Sequence, residues 1–280
     1  MKTLTTLAEL ESELQAYRAA RLRLALVPTM GALHDGHLSL AALGRRHADR
    51  VAATVFVNPK QFGPHEDLSR YPRDAEGDAR KLEAAGVDLL FMPAVEEFYP
   101  PGFSTTVHVA SVSEGMEGAR RPGHFDGVAT VVARLFGLFL PDVAIFGQKD
   151  GQQVAVVRRL VRDLGLAIRV LVGETVREAD GLAMSSRNAY LSAEERQKAP
   201  ALFRALLAGH LLYELGERRA AAVVAAVRTA LEAEPAFTVD ALDLVDAETM
   251  QPVSKLEGRV MLAAAVLLGR TRLIDNVLFG

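Results

Sequence analysis

Short runs of apolar residues recur along the first two thirds of the chain, each closed by turn-forming residues. Leu22 to Val27 ends at Pro28, and the β-branched run Val51 to Val57 ends at Asn58-Pro59. Val87 to Met92, Val143 to Phe146 and Ile168 to Val172 repeat the pattern. Runs this short, bounded by breakers, predict buried strands. Gly36 to His47, Ala75 to Ala85, Val128 to Leu140 and Gln152 to Leu164 predict helices between some of them. Strands alternating with helices predict a parallel sheet covered on both faces, with ligands at the carboxyl ends of its strands.

The pattern changes after about Val176. Pro200 to Glu234 is rich in Ala, Leu, Arg and Glu and is broken at Gly216, which predicts two helices. Ala241 to Val245, Arg259 to Leu268 and Leu273 to Leu278 then predict strands joined by turns. The expected architecture is an α/β domain over residues 1–176, followed by a smaller α+β domain over 177–280 that covers the site. No internal repeat or low-complexity segment interrupts either part.

Composition narrows the chemistry. The chain has 280 residues, half of them hydrophobic, and no apolar run of the roughly 20 residues a spanning helix needs; even Val128 to Leu140 is interrupted by Arg134 and Gly137. The segment Met1 to Thr6 lacks a signal peptide's apolar stretch, so a cytoplasmic location is expected, with no membrane partner. The absence of cysteine removes disulfides, thiolate zinc sites and cysteine nucleophiles. A net charge of -3 and a pI near 6.2 argue against a protein that neutralises a nucleic-acid backbone.

Four segments carry candidate chemistry, and three of them directly follow predicted strands. His34-Asp35-Gly36-His37 lies at the start of the first predicted helix, where backbone N–H groups and the helix dipole suit an anion and glycines permit close approach. Asn58-Pro59-Lys60-Gln61-Phe62-Gly63 offers Gln61, an amide suited to a small molecule with a carboxylate and hydroxyls. Phe146-Gly147-Gln148-Lys149-Asp150-Gly151-Gln152-Gln153 places a mobile cation at a helix start, with Gln153 one turn on. The fourth runs from Val176 to Asn188, where Ser185, Ser186 and Arg187 make a compact donor cluster for polyphosphate. There is no Walker A loop, no G-x-G-x-x-G after the first strand, no H-E-x-x-H frame and no serine-hydrolase elbow.

Together these segments, with Glu117 to Val128 and Arg272 to Asn276, resemble the pantoate–β-alanine ligases, also called pantothenate synthetases. The H-x-G-H element alone resembles only the wider nucleotidyltransferase superfamily. The closer resemblance implies a Rossmann-like nucleotidyltransferase domain and a homodimer. It also implies a reaction: pantoate attacks the α-phosphate of ATP, and β-alanine then displaces AMP from pantoyl adenylate, with Mg²⁺ bridging phosphate oxygens. By position it makes Met30, Gly31, Ala32, Leu33, His34, Asp35, Gly36 and His37 the ATP loop, with His34 and His37 at the phosphates and His37 as proton donor. Gly147, Gln148, Lys149, Asp150, Val176, Met184, Ser185, Ser186 and Arg187 become further ATP contacts, with Lys149 and the Ser-Ser-Arg cluster as phosphate ligands. His34, His37, Lys149, Ser185, Ser186 and Arg187 are thus the expected catalytic set, and Gln61 and Gln153 the expected pantoate pair. The resemblance assigns no metal ligand and no role to Arg120, Arg121 or His124.

Three positions depart from the family pattern: Gln148 for a usual Glu, Gly151 for a usual aromatic, and Lys60 for a common apolar residue. Two other readings stay open on the residues alone. One is nucleotidyl transfer to a phosphorylated substrate, and the other is a non-catalytic nucleotide-binding module.

Overall fold

A computed structural model describes residues 1–64 and 66–280. The first part runs β1 (Lys2–Leu4), α1 (Leu7–Ala19), β2 (Leu24–Thr29), α2 (Asp35–Arg45), β3 (Arg50–Val55), α3 (Ala75–Ala84) and β4 (Leu89–Phe91). Two short helices, α4 (Val95–Phe98) and α5 (Met116–Arg120), lead into α6 (His124–Phe139), β5 (Val143–Gly147), α7 (Gly151–Asp163) and β6 (Arg169–Gly173). All six strands are parallel, in the order β1-β4-β3-β2-β5-β6. Leu24 to Val27 are each at most 4% exposed because helices cover both faces. Leu26, Leu89 and Phe91 pack with Leu10 and Leu14 of α1, Phe136 and Phe139 of α6 and Val157 of α7. Ala25, Val27, Val51 and Ile145 pack on the opposite side with Leu40 of α2 and Leu82 of α3.

Three expectations change in detail. The first strand continues through Pro28 to Thr29. Proline is tolerated there because β2 pairs with β5 only at Ala25 and Leu26, so Pro28 has one ladder partner, Thr54 of β3, and no missing donor on the other side. The helix expected from Val128 begins at His124: Gly127 is not a breaker, and a Cβ on it would strike the backbone of Lys60. β1 and α1 have no counterpart in the apolar-run reading. β1 is short and partly polar, and α1 buries only Leu10 and Leu14, although Thr6 and Glu9 form a capping box at its start.

Beyond β6 the chain forms α8 (Ala193–Lys198), α9 (Ala201–Glu214), α10 (Ala220–Glu232) and an antiparallel sheet of β7 (Phe237–Asp246), β8 (Val260–Leu268) and β9 (Thr271–Phe279), in that order. Leu206, Val223, Val227 and Leu231 of α9 and α10 cover one face of this sheet, against Leu262 and Val266. Met261, Val245 and Leu278 belong instead to the core beneath the first sheet. Among the described residues no helix is long and apolar enough to cross a membrane.

Candidate active site

The strand order reverses direction at β2, with β3 on one side and β5 on the other, so a crevice opens outside their carboxyl ends. A cavity of about 620 Å³ occupies it, roofed by the segment after β6 and by the start of β9. Met30, Gly36, His34, His37, Gln61, Gly147, Lys149, Asp150, Gln153, Val176, Met184, Ser185, Ser186 and Arg187 line this one space. Gly31, Ala32, Leu33, Asp35 and Gln148, also expected as ATP contacts, do not line it.

The reason at the first loop is a buried carboxylate on α3. Gly31 and Ala32 both take left-handed backbone angles (φ 84° and 51°), which turns the chain sharply after Met30. Asp78, 1% exposed, accepts the N–H groups of Ala32 and Leu33 at 2.8 Å each. One turn along α3, Lys81 donates to the Leu33 carbonyl at 2.7 Å. Two amides of the expected ATP loop, Ala32 and Leu33, are therefore engaged by α3 rather than by the cavity, and Asp78 and Lys81 give no motif by which sequence could find them. Asp35 is exposed.

His34 and His37 face each other with ring centroids 4.2 Å apart. The His34 ring lies over Gly36, where a Cβ would come within 2.9 Å of Nδ1, so no other residue fits that position unchanged. Burial pushes the His34 pKa down to about 4, helped by the Lys149 charge, and burial beside His34 pushes His37 down to about 3. Both rings are neutral at pH 7. His37 Nδ1 accepts the His34 backbone N–H at 3.4 Å, which leaves the proton on Nε2.

Across the cavity, the turn at Pro59–Gln61 presents Gln61, 8% exposed. Its Oε1 accepts from Asn58 Nδ2 at 2.9 Å, and Nε2 lies 3.2 Å from the Met30 sulfur. Arg121 and His124 acquire a definite place here. His124 Nδ1 donates to the Gln61 carbonyl at 2.8 Å, and Nε2 accepts from Arg121 Nη1 at 3.1 Å. Burial, reinforced by the Arg121 charge, lowers the His124 pKa, in keeping with that neutral tautomer. Arg121 also grips Glu66 through two bonds, at 2.7 and 2.6 Å. Arg120 takes no part in this bracing; it lines the same cavity and donates to the Asp240 carbonyl at 3.0 Å. Lys60 is exposed, and its ammonium sits 5.2 Å from the ring centres of both Tyr99 and Phe103, a cation–π pairing that an apolar residue would forgo. On α7, Gln152 is structural: its amide bonds the carbonyls of Val112 and Gly115. Its neighbour Gln153 opens to the cavity.

Lys149 lies in the turn Gln148–Asp150 with its ammonium 3.8 Å from Asp150. Gln148 is turned away and hydrogen-bonded to Asn276. A Cβ on Gly151 would collide with the Met261 sulfur, so the methionine fills the ground a larger residue would take. Opposite, Arg187 holds Asp67 through Nε and Nη2, at 3.1 and 3.0 Å. Burial raises the Asp67 carboxyl, but the Arg187 bonds and charge outweigh it and leave its pKa below the ordinary value. The Tyr71 hydroxyl bonds Ser186 Oγ at 3.1 Å. Asp67 and Tyr71 lie outside every motif picked from the sequence.

Parallel sheet, switch-point cavity and histidine-bearing helix start define an α/β protein of the Rossmann-like class. The family model for pantoate-beta-alanine ligase matches residues 2–278. The chain belongs to that family. It is 52% identical over 277 residues to a pantothenate synthetase of Moorella thermoacetica, covering 99% of this chain and 98% of the relative. It is also similar to the crystal structure of pantothenate synthetase from Thermus thermophilus, with a TM-score of 0.94, 52% identity and 99% of each chain covered. A pantoate-beta-alanine ligase from Francisella tularensis, crystallised in complex with beta-gamma ATP and beta-alanine, aligns with a TM-score of 0.80 and 29% identity over 99% of this chain and 97% of that one.

Proposed function

We propose that this chain joins pantoate to β-alanine at the expense of ATP, with the cavity residues in the roles that follow. Pantoate's carboxylate oxygen attacks the α-phosphorus, the Pα–O–Pβ bond breaks and pyrophosphate leaves. The β-alanine nitrogen then attacks the activated carbonyl carbon, the acyl C–O bond breaks, AMP departs and the amine proton passes to solvent. Neutral His37 donates from Nε2 to a phosphate oxygen, which its depressed pKa permits at pH 7. Lys149, Ser185 and Ser186 face the leaving pyrophosphate. Arg187 adds its Nη1 edge while Asp67 fixes the rest of the fork. Gln61 and Gln153 hold pantoate, and Asn58, Arg121 and His124 brace Gln61.

The observation that carries this reading is that both glutamines share one cavity with the two histidines, Lys149 and Arg187. A phosphate-binding loop alone suits many nucleotide enzymes; an amide pair beside it suits a small hydroxy acid. Mg²⁺ fits as an ion carried mainly by phosphates and water. It needs only one or two carboxylates, and among the described residues two line the cavity without an arginine partner: Glu174, and Asp150, whose cationic neighbour is Lys149 at 3.8 Å. Bound there, it would neutralise charge on the phosphates. The division between 1–176 and 177–280, a homodimeric assembly and a cytoplasmic location complete the proposal; their support is the two-sheet architecture and the family.

The test is release of pyrophosphate and AMP. Pyrophosphate should require pantoate, and AMP should appear with β-alanine. His37→Ala should lower kcat by about 100-fold or more. Undiminished turnover in that variant removes the role given to His37, and a nucleotide-bearing end product would favour nucleotidyl transfer instead.

A further inference from the structure

One side chain near the end of the chain reaches back to the root of Lys149. Asn276 on β9 is 5% exposed, and its Nδ2 donates to the carbonyls of Gln148 at 3.0 Å and Lys149 at 2.9 Å. A carboxamide nitrogen has two hydrogens, and both are used. The amide orientation is thereby fixed, and Oδ1 must face a donor; Gln148 Nε2 supplies it at 3.0 Å. The preceding residue, Asp275, 3% exposed, takes Arg177 through both oxygens, at 2.5 and 3.0 Å, and accepts the Asn276 backbone N–H at 2.8 Å. Arg177 bridges to Ala183, immediately before Met184-Ser185-Ser186-Arg187.

We propose that Asn276 is a positioning residue for Lys149, and that the dipeptide Asp275-Asn276 sets the register between Lys149 and the Ser185-Ser186-Arg187 turn. The inference rests on the ATP-dependent function proposed above. The turn Gln148–Asp150 is a single 3₁₀ turn, and Asp150 makes no side-chain cap to α7, so little within the segment itself holds it. Two bonds to consecutive carbonyls fix the two peptide planes that flank the Lys149 Cα, and with them the direction in which the lysine side chain leaves the backbone. A lysine has four rotatable bonds beyond that root, so an unfixed root spreads its ammonium over a far larger volume. Two adjacent residues of β9 thereby tie together the two turns whose cationic groups face the phosphates from opposite walls.

Asn276→Asp tests this at constant volume: it removes both donors and sets a carboxylate against two carbonyls. ATP affinity measured by calorimetry should weaken by about tenfold, and KM for ATP should rise in step, while KM for pantoate stays at the parent value. In a Lys149→Ala background the same substitution should cause no further loss of ATP affinity. Unchanged ATP affinity in Asn276→Asp overturns the proposal, and so does an equal loss in the Lys149→Ala background. Should Asn276→Asp not fold, Asn276→Ser withdraws the donors without adding charge and is read in the same way. Failure of both to fold also overturns the proposal, since it assigns the side chain to folding. A parent that binds ATP but releases no pyrophosphate with pantoate would instead remove the functional reading, and the calorimetric comparison would still decide the role of Asn276.

Discussion

A proton on His34 or His37 would sit in a part-buried pocket beside a second imidazole 4.2 Å away and near Lys149. That is why both pKa values fall from 6.5, to about 4 and about 3. The consequence for stability has a definite sign. The unfolded chain takes up these protons near pH 6.5 and the folded chain only near 4 and 3, so the contribution of the neutral rings is complete above pH 6.5 and is lost as pH falls through that window. His37→Gln removes one titration. Urea midpoints followed by circular dichroism should therefore drop further between pH 7.5 and pH 5 in the parent than in this variant, and equal drops would contradict the assignment. At this scale the sequence named candidate groups that the fold gathers around one cavity, because histidines, lysine and serines are visible as residue types. It could not mark their supports: Asp78, Asp67, Tyr71 and Asn276 touch the site from segments 45 or more positions away from the groups they hold.

Between elements, the close approaches decide what each motif can tolerate. Gly127 lets α6 lie on the Pro59–Gln61 turn, and Gly151 lets α7 start beneath Met261. Gly151→Tyr, which restores the aromatic common in the family, is expected to destabilise this chain by about 1–3 kcal/mol through overpacking. Adding Met261→Ala should recover part of that loss, measured as the urea midpoint; a fully stable single variant would show that Met261 moves aside freely. The parallel strands were legible because a sheet covered on both faces demands unbroken apolar runs. β1 was not: it is three residues long, and its place is set by pairing with β4 rather than by its own composition. The start of α6 was misplaced for a related reason. The expected helix opened with the apolar residues at Val128, and only the neighbouring turn explains why Gly127, which has no Cβ, belongs inside it.

For the whole molecule, the small sheet serves two cores, one of them its own. One face meets α9 and α10, while Met261, Val245 and Leu278 on the other contribute to the cluster containing Phe136 and Phe139. Calorimetric unfolding is accordingly expected to show one transition, and two resolved transitions would mean that the halves are energetically separate. The architecture also bears on how such a site changes over evolutionary time. Because Asp78 takes the amides of Ala32 and Leu33, neither of these is free for a ligand, while imidazole, ammonium, hydroxyl and guanidinium side chains line the same space. A main-chain cradle is present whatever the residue, so selection can adjust it only by moving the loop. A cavity built from imidazole, ammonium, hydroxyl and guanidinium can be retuned one codon at a time, on a scaffold that stays where it is.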